Sequence, residues 1–277
     1  MYRAHCKRLV WLRCIAYIRN PAIVFHNLVY LLMKNPHLWT ETKVVRAKNG
    51  FAPSRNQDFL GVGSRVVASC QVPHYHAAIL EHARGRLLDL GCGHVPYYEM
   101  YKGLVTEATC LDWENTSHKN GFLDAVVDLN NPLPLQSASF DTVLLMDVLE
   151  HVMRPFELLG EISRVLRPGG KVIIGVPFFY WLHEQPYDFF RYTEFALSHL
   201  CESNALRVVS LDPYGGLPEV AADITGKSIC ALGKLAGSAY VSFCQIVLSS
   251  PLLRAFSRRT NRTFPLGYTL VAAKLTC

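Results

Sequence analysis

The 277-residue chain has no Cys-x-x-Cys pair. Its nine cysteines (Cys6, Cys14, Cys70, Cys92, Cys110, Cys201, Cys230, Cys244 and Cys277) are odd in number and scattered, which argues against a disulfide framework or a zinc site and fits a reduced, cytoplasmic compartment. The first forty residues contain no Asp, no Glu and no Ser. Arg13 interrupts their apolar stretch and no small-residue cleavage site follows, so a secretory signal is not expected. An Arg-rich, acid-free start is also the composition of a mitochondrial presequence, although the missing serine counts against it. The apolar run 22–33 falls short of the roughly 20 residues that a helical span needs.

What is present begins with charge. The net charge of +6 is unevenly laid out. Residues 1–40 carry Arg3, Lys7, Arg8, Arg13, Arg19 and Lys34; residues 220–264 carry Lys227, Lys234, Arg254, Arg258, Arg259 and Arg262 against Asp223 alone, so the body between them is net acidic. Both basic arms are also apolar, through 22–33 in the first and 235–253 in the second. That combination suits helices lying on an anionic membrane, and equally cover helices packed on the body; both readings stay open. Nucleic acid is not an expected partner, because the positive charge sits in apolar segments.

Between the arms, strand-like and helix-like segments alternate. Residues 40–63 are polar, with Pro53, Ser54 and Gly61 as turn signals, and read as a connection; 72–82 reads as a helix. Strands are expected at 86–90, ending at Leu111-Asp112, at 124–128, 140–147, 171–176, 206–211 and 267–274. Pro155 opens the clearest helix, with Phe156, Leu159, Ile162, Val165 and Leu166 on one face and Pro168-Gly169-Gly170 as its stop, and Thr193 is the expected N-cap of another. The pattern predicts an α/β fold: a doubly wound, seven-stranded, mainly parallel sheet, with an N-terminal helical arm and a helical insertion before the last strand. The expected division is 1–63 for arm and linker and 64–277 for the domain, with 217–264 as the apolar basic insertion. Because the strands flanking that insertion join one sheet, it can lie on a bilayer or re-enter it, but one full crossing is not expected.

The most informative stretch is Leu87-Leu-Asp-Leu-Gly-Cys-Gly-His-Val-Pro96, where an apolar run stops at a glycine pair. Gly91 and Gly93 allow a sharp turn and close approach of a nucleotide-like ligand, with Asp89 adding a polar contact. Pro96 occupies the third glycine position of G-x-G-x-x-G, and no second nucleotide-binding half follows, which counts against NAD.

In order, Leu88-Asp-Leu-Gly-Cys-Gly93, Asp112, Asp128, Phe140-Asp141, Asp147-Val-Leu-Glu-His-Val152 and Leu166-Arg-Pro-Gly-Gly-Lys171 resemble class I S-adenosylmethionine-dependent methyltransferases of the type 11 group, over about 85–211 and the closing strand. The resemblance implies a Rossmann-like methyltransferase fold with S-adenosylmethionine as cofactor. It further implies that Asp89, Gly91, Cys92 and Gly93 line its methionine end and that Asp112, with Trp113, receives the ribose hydroxyls. By the same carry-over, Asp128 and Leu129 face adenine, and Met146 and Asp147 lie beside the sulfonium. Val95 and Pro96 replace a small third residue of the family and are expected to narrow the pocket.

The acceptor site is expected in 177–193, where aromatics surround His183, Glu184, Asp188 and Arg191. His183 is the first candidate base, His151 the rival, and Asp188 with Arg191 either assist catalysis or form a structural ion pair. His74 and His76 lack a carboxylate or cysteine partner, so no metal is expected. The resemblance implies methyl transfer to a small-molecule, glycan or lipid-linked acceptor at a peripheral membrane surface, the greasy insertion being similar to those of methyltransferases of surface-polysaccharide assembly. An isoprenoid quinone acceptor, or a non-catalytic binding or scaffold protein that keeps the fold, are the alternatives.

Overall fold

A computed structural model describes residues 33–114 and 121–276. The reading of 1–32 as a basic helical arm therefore lies outside the described residues. Among the described residues a 3-10 turn at Pro36–Leu38 is followed by a hairpin, β1 (Val44–Ala47) paired antiparallel with β2 (Gly50–Pro53), inside what reads as a connection in the sequence. Its signal was Asn49-Gly50 between Val44-Val45 and Phe51-Ala52, the dipeptide that supplies the positive φ a tight hairpin turn requires; Gly50 has φ 114°.

Helix α1 (Arg65–His82) leads into a sheet of β3 (Gly85–Leu90), β4 (Val105–Asp112), β5 (Ala125–Val126), β6 (Phe140–Met146), β7 (Leu166–Pro177), β8 (Leu206–Tyr214) and β9 (Gly267–Lys274). The spatial order is β5-β4-β3-β6-β7-β9-β8; the first five strands run parallel, and β9 lies antiparallel to both β7 and β8. Alternation along the central strands divides the core in two. Leu88, Leu90, Val143, Leu145, Val172 and Ile174 face one cluster, and Leu87, Leu144, Met146 and Ile173 face the other. Helices α3 (Pro155–Val165) and α4 (Glu194–Glu202) cover the first face and α1 the second, which is why these strands read as nearly continuous apolar runs. A single turn α2 (Tyr98–Tyr101) separates β3 from β4.

Two details differ from the sequence reading. Phe156 is exposed, and α3 buries Leu158, Leu159, Ile162, Ser163 and Val165 instead. Leu166–Gly170 belongs to β7 and does not form a free turn: Leu166 pairs with Phe140, and the register shifts before Lys171 meets Thr142. Thr193 does cap α4, its Oγ1 accepting from the Ala196 amide at 3.2 Å.

The 217–264 segment forms three helices, α5 (Leu217–Leu232), α6 (Lys234–Leu248) and α7 (Pro251–Thr260). Among the described residues no single helix is long and apolar enough to cross a membrane; α6 and α7 are bent by 88° at their junction.

Tyr75 on α1 lies fully buried across Gly175 of β7, where an added Cβ would run into the phenol ring. Gly175→Ala is therefore expected to destabilise the fold by about 1–3 kcal/mol. Thermal unfolding checks this; an unchanged Tm would contradict the packing of α1 on the sheet.

Candidate functional site

The order reverses between β3 and β6, and there the carboxyl ends of the strands open into a cavity of about 350 Å³. Its floor is the turn after β3. Gly91 has φ +66°, and a Cβ there would meet Val148 Cγ2 at 2.5 Å; Gly93 has φ +52°. Asp112, at the end of β4, receives the Gly93 amide on Oδ2 at 3.1 Å and the Trp113 amide on Oδ1 at 2.8 Å, so one carboxylate ties the glycine loop to the next strand. Asp112 itself lines the cavity. Asp128 also lines the cavity while capping its own turn, through Asn130 and Asn131.

The expected narrowing by Val95 does not occur. Its side chain is fully buried in the core, at φ 51°, an unusual conformation for a β-branched residue. Its neighbours His94 and Pro96 reach the cavity wall, and Val95 does not. The Val95 carbonyl accepts from Trp39 Nε1 at 3.1 Å, which holds the turn from outside.

Asp89, Gly91, Cys92, Gly93, Asp112, Trp113, Asp128, Leu129, Met146 and Asp147 all line this one cavity, as do His151 and His183. Asp188 and Arg191 do not. They stand behind His183 as an ion pair: Arg191 donates to Asp188 at 2.6 and 2.8 Å, the His183 amide donates to Asp188 Oδ2 at 2.9 Å, and His183 Nδ1 lies 3.2 Å from the same oxygen. Burial opposes ionisation of Asp188, yet the Arg191 hydrogen bonds and the His183 amide hold its pKa at about 2. Burial, then the neighbouring His151, pushes the His183 imidazole below its ordinary value. His74 and His76 are committed to separate contacts, the first to the Cys70 carbonyl at 2.9 Å and the second edge-on to Phe51.

The sequence reading missed a second set of residues in the wall, among them Lys43, Phe59, Gln71, Tyr97 and Tyr214; Tyr180 falls in the aromatic stretch 177–193 that it did single out. Lys43 precedes the hairpin, and its Nζ donates to Asp147 Oδ2 at 3.0 Å. Asp147, at φ 56°, also receives Gln71 Nε2 at 2.5 Å, Tyr75 Oη at 2.8 Å and, more distantly, Tyr97 Oη at 3.4 Å. Burial works to lower the Lys43 pKa, but the Asp147 carboxylate outweighs it and holds the ammonium charged; burial keeps Tyr75 and Tyr97 protonated. The Asn49-Gly50 turn was the signal that could have marked 40–63 as structured; that Lys43 turns inward was not legible.

Residues 88–174 match a family model described as a methyltransferase domain. A ubiquinone biosynthesis O-methyltransferase of Xanthomonas oryzae pv. oryzae (strain PXO99A) is 31% identical over 113 residues, covering 36% of this chain and 46% of that protein. An uncharacterized protein of Methanocaldococcus jannaschii is 28% identical over 93 residues, covering 34% and 45%. The chain thus spans about half the length of the curated relatives it matches. Among solved structures, the [4+2]-cyclase SpnF aligns with TM-score 0.47 and 18% identity over 75% of this chain and 82% of that one. A SAM-dependent methyltransferase from Archaeoglobus fulgidus gives 0.48 and 17%, over 73% and 90%. Overlaps this distant carry no argument about chemistry.

Asp89 is buried at the end of β3, 3.2 Å from Tyr101 Oη, and burial pushes its pKa up to about 7. The folded state therefore holds a proton that the unfolded chain loses near pH 4, so stability declines as pH rises from about 4 to 7, by at most about 1.4 kcal/mol per unit. Denaturant unfolding of Asp89→Asn across that window is expected to lose this slope; an unaltered slope would remove Asp89 as its source.

Proposed function

We propose that this chain, which carries the class I methyltransferase fold, transfers a methyl group from S-adenosylmethionine to a hydroxyl oxygen. The observation that carries the reading is the convergence of the glycine turn, Asp89 and Asp112 on one cavity at the carboxyl ends of β3, β4 and β6. The fit of the cofactor is supported by the positive φ of Gly91 and Gly93, which turns the chain at the cavity wall, and by a cavity of about 350 Å³, within the range of small-molecule sites. Asp89, Gly91, Cys92 and Gly93 would hold the amino-acid end, Asp112 and Trp113 the ribose, Asp128 and Leu129 the adenine, and Met146 and Asp147 the region of the sulfonium. The cofactor, when bound, supplies a methyl group already activated toward displacement. The remaining tasks of the chain are to orient an acceptor and to take its proton.

For the second task His183 is suited by its contacts. His183 Nδ1 lies between Asp188 Oδ2 at 3.2 Å and the Arg191 guanidinium at 3.5 Å, an anchorage that turns Nε2 toward the cavity. Asp188 and Arg191 act as positioning residues behind it. With the cofactor bound, His183 Nε2 would take the proton of an acceptor hydroxyl as its oxygen displaces the sulfur leaving group that the cofactor supplies. Phe59, Tyr180 and Tyr187 on the cavity wall favour an acceptor with a ring or sugar face.

The finer reading is a lipid-linked or glycan acceptor met at a membrane surface. On α6, Gly237, Val241 and Cys244 are buried against the domain, while Leu235, Phe243 and Ile246 on the opposite side are 89%, 61% and 73% exposed. A helix apolar on both faces is suited to an apolar environment outside the protein as well as within it. Helix α7 adds exposed Leu252 and Phe256 beside Arg254, Arg258 and Arg259, the composition of an interfacial helix on anionic lipid. An isoprenoid quinone precursor is the second reading, favoured by the ubiquinone biosynthesis O-methyltransferases among the relatives.

Calorimetric titration with S-adenosylhomocysteine is expected to show one site, weakened at least tenfold in Asp112→Ala; absence of binding at millimolar concentration would overturn the enzymatic reading. Labelled methyl donor with membrane extract, fractionated into lipid, quinone and saccharide, separates the acceptor classes. Sedimentation with anionic vesicles is expected to be salt-sensitive and to fall in a variant with Leu235, Phe243 and Ile246 changed to Ser; equal sedimentation would exclude α6 as the docking face.

A further inference from the structure

At the end of the cavity nearest 177–193, three side chains from two separate loops converge without a hydrogen bond among them. Glu150 and His151 belong to the 3-10 turn Leu149–His151 that follows β6, and His183 to the loop after β7. Glu150 is 1% exposed, lines the cavity, and neither of its carboxylate oxygens has a hydrogen-bond partner. An orphaned carboxylate at such depth is costly unless something compensates it. Two imidazole nitrogens face it at distances too long for hydrogen bonds, His151 Nε2 at 3.8 Å and His183 Nε2 at 3.9 Å from Oε1.

The far side of each ring explains why those nitrogens are available. His151 Nδ1 donates to the Tyr187 carbonyl at 2.7 Å, and His183 Nδ1 faces Asp188 Oδ2 at 3.2 Å. The Tyr187 carbonyl accepts only, so the His151 ring is held in the tautomer whose Nε2 lone pair faces Glu150, while His183 Nδ1 is set between Asp188 Oδ2 and Arg191 Nη2, the latter 3.5 Å away, which turns its Nε2 to the same side. Histidines fixed through Nδ1 by a carbonyl or a carboxylate, with Nε2 converging on a common point, are the arrangement that orients metal ligands. The three ligand atoms lie within 4.8 Å of one another, so one ion between them requires only small side-chain adjustment.

We propose that Glu150, His151 and His183 form a binding site for a divalent transition-metal ion, such as zinc or cobalt, with its open positions toward the cavity. Two imidazoles and one carboxylate suit first-row transition ions more than magnesium or calcium, which prefer all-oxygen ligands. The sequence reading expected no metal, because it weighed only His74 and His76; Glu150 and His183 are 33 positions apart and meet only in the fold. Resting on the methyl-transfer reading, the site also names the acceptor's chemistry: a hydroxyl oxygen can enter an open position, where the ion lowers its pKa. With the ion bound, His183 would be its ligand, the base role given to it above being that of the metal-free protein, and the proton of the acidified hydroxyl would pass to solvent.

The test uses the full-length protein, stripped with a chelator and dialysed. Calorimetric titration with Zn²⁺ and visible absorption with Co²⁺ are expected to show one ion per chain, without the intense ultraviolet charge-transfer band that cysteine ligands produce. Glu150→Gln and His183→Ala are each expected to weaken binding at least tenfold. Asp188→Asn, which alters only the group behind His183, is expected to weaken it about 10–100-fold. Zn²⁺ is expected to raise the Tm of the unsubstituted protein and not that of Glu150→Gln. His183→Ala, on a loop, decides the question should Glu150→Gln fail to fold. No saturable binding, or equal affinity in all three variants, would overturn the proposal. S-adenosylhomocysteine titration of the same samples keeps the readings apart: metal binding without nucleoside binding would sink methyl transfer and leave the metal site standing, and the reverse would do the opposite.

Discussion

The carboxylate of Asp147 is the constraint on which the architecture of the cavity turns. It sits at the end of a fully covered strand, at a positive φ that a non-glycine residue adopts only when its surroundings hold it there. A partly buried charge at this point is satisfied by four side chains from three directions: Lys43 from before the hairpin, Gln71 and Tyr75 from α1, and Tyr97 from beyond the glycine turn. Satisfying one carboxylate thus pins the N-terminal hairpin, the helix over the second sheet face and the cofactor-type loop against a single strand end. Loss of one of these partners would leave the others arranged around an unsatisfied charge.

Around this point the cavity divides into two chemically different halves. On one side are the glycine turn, Asp89 and Asp112, where backbone amides and carboxylates converge and side chains stand aside. On the other are Glu150, His151 and His183, whose rings are oriented from behind by Tyr187 and by the Asp188–Arg191 pair. The latter pair lies outside the cavity lining and anchors the His183 ring from behind, and the Arg191 hydrogen bonds hold Asp188 ionised. The helices after β8 pack against the outside of this assembly and leave an apolar stripe outward.

The departure in the glycine loop shows how a fold absorbs an unfavourable residue. Val95 replaces a small residue where bulk would fill the ligand space, yet the chain turns at a left-handed angle and buries the isopropyl group in the core beneath. The conformational cost falls on one residue, and Trp39 Nε1 binds its carbonyl to hold the turn. Space is preserved because the strain is taken by the backbone and not by the cavity.

By itself the sequence determined the seven strands of the main sheet, the glycine turn and the carboxylates at successive strand ends. These depend on period-two apolar runs and local turn chemistry, which neighbouring residues specify. It also determined that the basic charge lies in apolar segments. Tertiary structure alone decided that Lys43 turns inward to Asp147, that Val95 turns away from the cavity, that Asp188 and Arg191 stand behind the histidine they hold, and that Glu150 meets His183. Each of these depends on which side of a turn faces which neighbour across a packed interface, and that is set by the simultaneous satisfaction of distant polar groups, to which no local periodicity corresponds.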